Sequence, residues 1–270
     1  MFFKLLRQMI FIIIWVIFKD GYYWNMTTSH GALSKSVLLE IIQSERFGVE
    51  YQPIIELSTG EVVAYEALSR FYNYGGESVR PDLIYASLHE NPITLFQVEY
   101  LQKKLQLAES PETRLFVNLD QDAFFATDVE AHNNPFIQLI RKQKESEIVV
   151  ELIENSEIND AIMSLSMIES FDALGIDTAL DDLCHPHSMI SVSVLQLVKW
   201  VKLDRCVLRM QHNDVFMKFV RQMIQFAKMT DKKIILEGVE TEADLQTAKM
   251  LEVDCVQGFF YRTQFINKMP

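Results

Sequence analysis

Basic clusters are the first thing this sequence lacks. Lys and Arg number 25 against 37 Asp and Glu, the formal net charge is −12, and no run of more than two Lys or Arg interrupts the acidic balance. A long nucleic-acid polymer held by counterion release is therefore not an expected partner. A small anion held by a few local cations and metal ions remains compatible, because net charge describes the whole surface and not one cleft. Cysteine is scarce too: Cys184, Cys206 and Cys255 stand far apart with no Cys-x-x-Cys pair. That excludes a disulfide framework and a thiolate zinc site, and points to a reducing, cytoplasmic compartment. Glycine and proline are few, 9 and 7, and no Ser/Gly/Pro-rich linker marks an internal boundary. Long apolar runs are missing as well. Met9 to Phe18 is unbroken, but a spanning helix needs roughly 20 apolar residues, and a run of about 10–14 suits an interfacial segment. No small-residue cleavage site follows it, which argues against a removed leader. Two readings of this segment stand side by side: residues 1–20 touch a membrane, or the chain properly starts at Met26 and the first 25 residues are an over-extended start. The expected organisation is an N-terminal extension over 1–43 and one domain over 44–270.

What is present is a hydrophobic content of 49%, enough for one sizeable core, and a recurring pattern. Short apolar runs stop on a carboxylate, an amide or a lysine: Tyr65-Glu66, Val117-Asn118, Val150-Glu151, Leu180-Asp181-Asp182, Val201-Lys202-Leu203-Asp204, Leu236-Glu237 and Val256-Gln257. Gly48–Leu57 and Glu61–Phe71 read as a hairpin about Ser58-Thr59-Gly60, so their arms are antiparallel. From Arg114 strands and helices alternate: strands at 114–119, 148–153, 177–182, 198–203, 233–237 and 255–258, and helices at 135–144, 158–174, 214–229 and 242–251. Earlier helices are expected at 38–43, 81–89 and 94–107. Strands separated by helices of this length imply crossover units and a parallel sheet. Their number suits a (β/α)8 barrel in which the first strand departs from the all-parallel rule, with polar strand ends meeting at the C-terminal mouth.

Such a mouth would hold Glu66, Asn118, Glu151, Asp181, Asp182 and Glu237. So many carboxylates repel one another unless cations neutralise them, and hard oxygen ligands suit Mg²⁺ or Mn²⁺. Adjacent Asp181 and Asp182 suit a two-metal site for attack of water on a phosphodiester. Lys202 adds a cation, and Arg70 offers a phosphate or base contact. Taken singly, each acid reads as a solvated strand-end residue, but seven such ends together favour a metal-dependent site.

Tyr51-Gln52-Pro53-Ile54 and Glu66-Ala67-Leu68-Ser69-Arg70 resemble the signature of EAL domains, the cyclic di-GMP phosphodiesterases. The resemblance continues through Val117-Asn118-Leu119, Glu151-Leu152-Ile153-Glu154, Ala179-Leu180-Asp181-Asp182, Val201-Lys202-Leu203-Asp204-Arg205, Glu237-Gly238-Val239-Glu240-Thr241 and Val256-Gln257-Gly258. It implies a modified TIM barrel with one antiparallel strand, often dimeric, that hydrolyses cyclic di-GMP to linear pGpG with two Mg²⁺ or Mn²⁺ ions. On that resemblance Glu66, Asn118, Glu151, Asp181 and Asp182 are metal ligands, and Glu237 is a ligand or base near the second metal. Lys202 orients the attacking water, while Gln52, Arg70 and Gln257 contact the dinucleotide. Asp204 and Glu240 support the ligands, and Glu154 steadies the loop after the Asp pair. That loop departs from the family: where Phe-Gly-(Thr/Ser/Ala)-Gly is usual, this chain has Leu183-Cys184-His185-Pro186-His187. The change motivates an alternative, a catalytically weak or inactive EAL module acting as a cyclic di-GMP receptor or protein-interaction regulator. His185 and His187 read as loop-surface residues or as added metal ligands, and Cys184 as a packed or a redox-sensitive thiol.

Overall fold

The structure is a computed structural model that describes residues 33–270 except 128, 144–145, 153–157, 187 and 189–190. The apolar run at 9–18, Glu154 and His187 lie outside the described residues. No helix among those described is long and apolar enough to cross a membrane.

The expected hairpin forms from β1 (Phe47–Glu56) and β2 (Val62–Tyr72), paired antiparallel. After a two-residue β3 (Ser78–Val79), the parallel strands follow: β4 (Arg114–Asn118), β5 (Ile148–Leu152), β6 (Asp177–Leu183), β7 (Trp200–Leu203), β8 (Lys233–Leu236) and β9 (Cys255–Val256). β1 also pairs antiparallel with β9, through Ile55 and Val256, and so closes an eight-strand ring β1-β9-β8-β7-β6-β5-β4-β2. The modified barrel with one reversed strand is what the chain adopts. A last strand, β10 (Ile266–Lys268), adds to the free stretch of β1.

The predicted helices are present: Asp214–Met229 and Glu242–Leu251 with the expected ends, and Lys35–Gln43, Pro81–Leu88, Pro92–Ala108, Pro135–Lys142 and Ile158–Asp172 with one or both ends shifted. Their starts follow from local chemistry. The side chains of Asn91, Asn134 and Asn213 accept backbone N–H bonds at three of them, and Thr241 with Asp244 forms a reciprocal cap at the last. The short helices Gln121–Phe125, Val192–Leu197 and Cys206–Arg209 are additions beyond the sequence expectation.

The core has two parts. The larger lies between barrel and helices, and includes Leu115, Val117, Val150, Leu180, Val201 and Leu236. The smaller fills the barrel with one residue from each strand of the ring: Ile54, Ala64, Phe116, Val149, Ala179, Trp200, Ile235 and Cys255. Phe116 and Trp200, from non-adjacent strands, meet edge to face at 5.1 Å between ring centres. This inner layer matters for function. Strand side chains alternate with period two, and two residues advance about 7 Å. The next inward-facing residues toward the mouth are therefore Gln52, Glu66, Asn118, Glu151, Asp181, Lys202, Glu237 and Gln257. A dry plug carries a polar ring on top of it.

Candidate active site

Lys202 is the hub of that ring. Its ammonium lies 2.7 Å from Glu237, 2.9 Å from Glu151 and 3.2 Å from both Glu66 and Asp181, and its side chain is 1% exposed. Glu66 is held further by Gln257, whose Nε2 donates to Oε2 at 2.6 Å, and by Asn118, whose Nδ2 donates to Oε1 at 2.8 Å. Burial opposes ionisation of Glu66, but Lys202 and these hydrogen bonds outweigh it and bring its carboxyl below the ordinary value. Glu151 goes the other way: burial and then the Glu66 charge push it well above. Burial and then the Asp181 charge raise Glu237 well above the carboxylate range. Lys202 is driven well above the usual lysine value because the four carboxylates outweigh its burial.

One ammonium cannot satisfy four carboxylates. Glu151 lies within ion-pair distance of Lys202, yet both its oxygens lack an aligned hydrogen bond, as do Asp181 Oδ1 and Gln257 Oε1. Buried acceptors without donors are costly, and the cost vanishes when a cation takes their lone pairs. Beside them Asp181, Asp182 and Glu237 each bring one carboxylate oxygen within 4.8 Å of the others. Oxygen donors with excess negative charge fit Mg²⁺ or Mn²⁺. A second such group among the described residues, His89-Asp120-Asp122, is accounted for by helix ends. Asp120 caps Gln121–Phe125, and His89 donates from Nδ1 to the Tyr85 carbonyl and pairs through Nε2 with Asp120.

Strict alternation would turn Asp182 away from Asp181. The β6–β7 register breaks here: Leu180 faces Val201 and Leu183 faces Leu203, so one strand spends an extra residue. This bulge, with Asp182 in left-handed backbone at φ 54°, is what brings both carboxylates to one cluster. Burial, then Asp181 and Asp204, push Asp182 up to about 6. The altered loop is anchored locally. His185 N–H donates to Asp182 O at 3.1 Å, and Cys206 Sγ–H donates to Cys184 O at 3.0 Å. Cys184 itself is buried at φ 73°. His185 is exposed, outside the Asp181-Asp182-Glu237 group.

The remaining expected residues fall in different places. Asp204 is buried, accepts Cys206 N–H at 2.8 Å and donates its own N–H to Leu183 O. It braces the base of the loop. The Glu240 side chain is exposed, and its N–H donates to Asp244 at 3.1 Å, so the structure does not bring it into the network. Gln52 and Arg70 both turn to a residue outside the strand-end pattern, Glu50: Gln52 Nε2 donates to its Oε1 at 2.9 Å, and Arg70 pairs with the same oxygen. The signal that could have found it is period two, since Glu50 faces the same way as Gln52. Two glycines at the rim are sterically required. A Cβ on Gly238 would stand 2.3 Å from Arg205 Cβ, and one on Gly258 2.2 Å from Val239 O.

Residues 35–264 match the EAL domain family. The chain belongs to that family. A curated relative, the probable cyclic di-GMP phosphodiesterase PdeB of Escherichia coli, is 24% identical over 83% of this chain and 44% of its own length. The bifunctional diguanylate cyclase/cyclic di-GMP phosphodiesterase MucR of Pseudomonas aeruginosa is 24% identical over 82% of this chain and 33% of its own length. The chain thus spans less than half the length of these relatives. Among solved structures, YkuI of Bacillus subtilis, a protein with an EAL domain in complex with c-di-GMP and calcium, shares the fold. Its TM-score is 0.70 at 17% identity, over 86% of this chain and 58% of that one.

Proposed function

We propose that this EAL domain is a metal-dependent phosphodiesterase that hydrolyses cyclic di-GMP to linear pGpG. The observation that carries the reading is the ring at the barrel mouth: four carboxylates that share one ammonium, with buried oxygens lacking an aligned hydrogen bond, beside three carboxylates whose oxygens lie within 4.8 Å of one another. Glu66, Asn118, Glu151, Asp181, Asp182 and Glu237 would hold two Mg²⁺ or Mn²⁺ ions. When bound, such ions make water nucleophilic at neutral pH and stabilise the attacking and leaving oxygens of an in-line displacement.

The chain's own residues do the rest. Lys202, kept protonated by its carboxylates, cannot serve as a base; it acts as a fixed donor that orients the attacking water and lends positive charge next to the phosphate. Asn118 and Gln257 hold Glu66 in its ionised form. Gln52, Arg70 and Gln257 contact the dinucleotide, and the plug beneath the ring keeps bulk water from reaching the site from below. A homodimer and a cytoplasmic location belong to the same proposal.

One observation supports the alternative of a receptor without turnover. The loop after the Asp pair places Cys184, a non-glycine residue, in left-handed backbone two positions from a metal-ligand candidate. The readings separate in one experiment: product formation and binding of cyclic di-GMP measured together with Mn²⁺, beside a Glu66→Ala control. Linear product that disappears in the control supports the enzyme. Tight binding with no product in either protein moves the assignment to a receptor.

A further inference from the structure

The β1–β2 hairpin extends outward beyond the ring of candidate metal ligands. Its inward-facing pairs are Gln52 opposite Glu66, Glu50 opposite Leu68 and Gly48 opposite Arg70. Since two residues advance about 7 Å, Glu50 and Leu68 stand one step outward from Glu66, and Arg70 two. Side chains there bend back to one carboxylate: Glu50 Oε1 accepts from Gln52 and from Arg70, while Arg70 Nη1 also donates to Ser69 O at 2.8 Å. Glu50 and Arg70 are 18% and 23% exposed, so the pair is partly buried and still meets solvent. Both donors load Oε1. Among the described residues, Oε2 has no hydrogen-bond partner.

A carboxylate oxygen in reserve beside an ordered guanidinium is an acceptor next to donors. Guanine is the base complementary to that pair. Its N1–H and N2 amine are adjacent donors, and its O6 and N7 are the acceptors that Arg favours, whereas adenine has an acceptor at N1, a donor at N6 and no 2-amino group. The position also suits a base better than the scissile phosphate, which belongs one step inward beside the metal ligands. Leu68, paired with Glu50 across the hairpin, offers apolar contact to a ring face.

We propose that Glu50, with Arg70 held beside it, reads a guanine base of the dinucleotide and sets guanine-over-adenine preference. This rests on the phosphodiesterase reading above and adds to it a recognition residue.

The test is calorimetric binding of cyclic di-GMP and cyclic di-AMP to the full chain with Ca²⁺, for the wild type, Glu50→Gln and Glu50→Asp, with a thermal melt of each. A hydrogen bond to a charged group is worth roughly 10- to 100-fold in affinity. Glu50→Gln is expected to lose about that factor of guanine preference, with adenine dinucleotide binding and melting temperature unchanged, while Glu50→Asp retains more of the preference. Unaltered preference in Glu50→Gln overturns the proposal, as does an equal loss for both dinucleotides with a lowered melting temperature. Tighter cyclic di-GMP binding by Glu50→Gln also overturns it and makes Glu50 a competitor for Arg70. A wild type that binds neither dinucleotide removes the phosphodiesterase reading itself, a failure distinct from the others.

Discussion

Replacing Lys202 by Met removes the one cation, among the described residues, that contacts four carboxylates of the ring at 2.7–3.2 Å. Methionine keeps most of the stem volume, so packing in the ring changes little and the effect is electrostatic. Removing one partner of a buried ion pair costs about 3–5 kcal/mol, because the other charge stays uncompensated. For a domain of this size each kcal/mol moves Tm by about 2–4 °C, so the variant should melt roughly 6–20 °C below the parent in chelator at pH 7.5. Two further results follow from the same cause. The deficit shrinks at pH 5, where the carboxyl groups take up protons, and it shrinks on adding Mn²⁺, which replaces the missing charge. Differential scanning calorimetry with and without chelator at both pH values makes the comparison. A Tm within about 2 °C of the parent in chelator at pH 7.5 would refute the electrostatic account, since the predicted cost is several-fold larger.

Other consequences can be measured alongside. Glu151, Glu237, Asp181 and Asp182 all have folded-state carboxyls above their ordinary range, Asp182 at about 6. The stability this gives is present below the ordinary carboxylate range near about 4 and is lost as pH rises through the folded values. Mn²⁺ binds the ionised forms, so it should raise Tm more at pH 8 than at pH 5; an equal rise at both would contradict the assignment of these groups as ligands. Cys184→Val places a β-branched residue at φ 73° and should cost about 1–3 kcal/mol, more than Cys184→Gly despite the larger volume lost in the latter. Denaturant unfolding that gives the reverse order would exclude backbone strain as the main cause. Gly258→Ala drives a methyl into Val239 O and should destabilise by about 1–3 kcal/mol while displacing Gln257; a variant with parental stability would show that the rim yields.

Much of this is readable from the residues themselves. Each chemistry-bearing residue sits two positions toward the mouth from an apolar one, as in Phe116-Val117-Asn118, Val149-Val150-Glu151 and Trp200-Val201-Lys202. Period two therefore carries both the barrel plug and the site, and the antiparallel first strand follows from a tight turn. What stays hidden depends on tertiary context. The edge strand β10 is too short for a pattern, and exists because β1 offers it unpaired backbone. The strand expected from Val198 begins at Trp200, because Val198 ends the helix Val192–Leu197. The bulge that turns Asp182 inward is set by pairing with β7, which no single segment records. Glu50 escapes a strand-end pattern because its meaning comes from Arg70 across the hairpin, 20 residues away.

A ring over the barrel plug that holds metal to cleave a phosphodiester must lose its activity with the metal. The decisive measurement is turnover of cyclic di-GMP by the wild type in Mn²⁺, compared with Asp181→Asn and with the wild type in excess chelator. Linear pGpG is expected from the wild type, with turnover lowered by at least about 100-fold in Asp181→Asn, as for removal of a principal electrostatic stabiliser, and none in chelator. Undiminished hydrolysis in Asp181→Asn or in chelator, or no linear product from the wild type with Mn²⁺ present, would contradict a metal-dependent phosphodiesterase built on this ring.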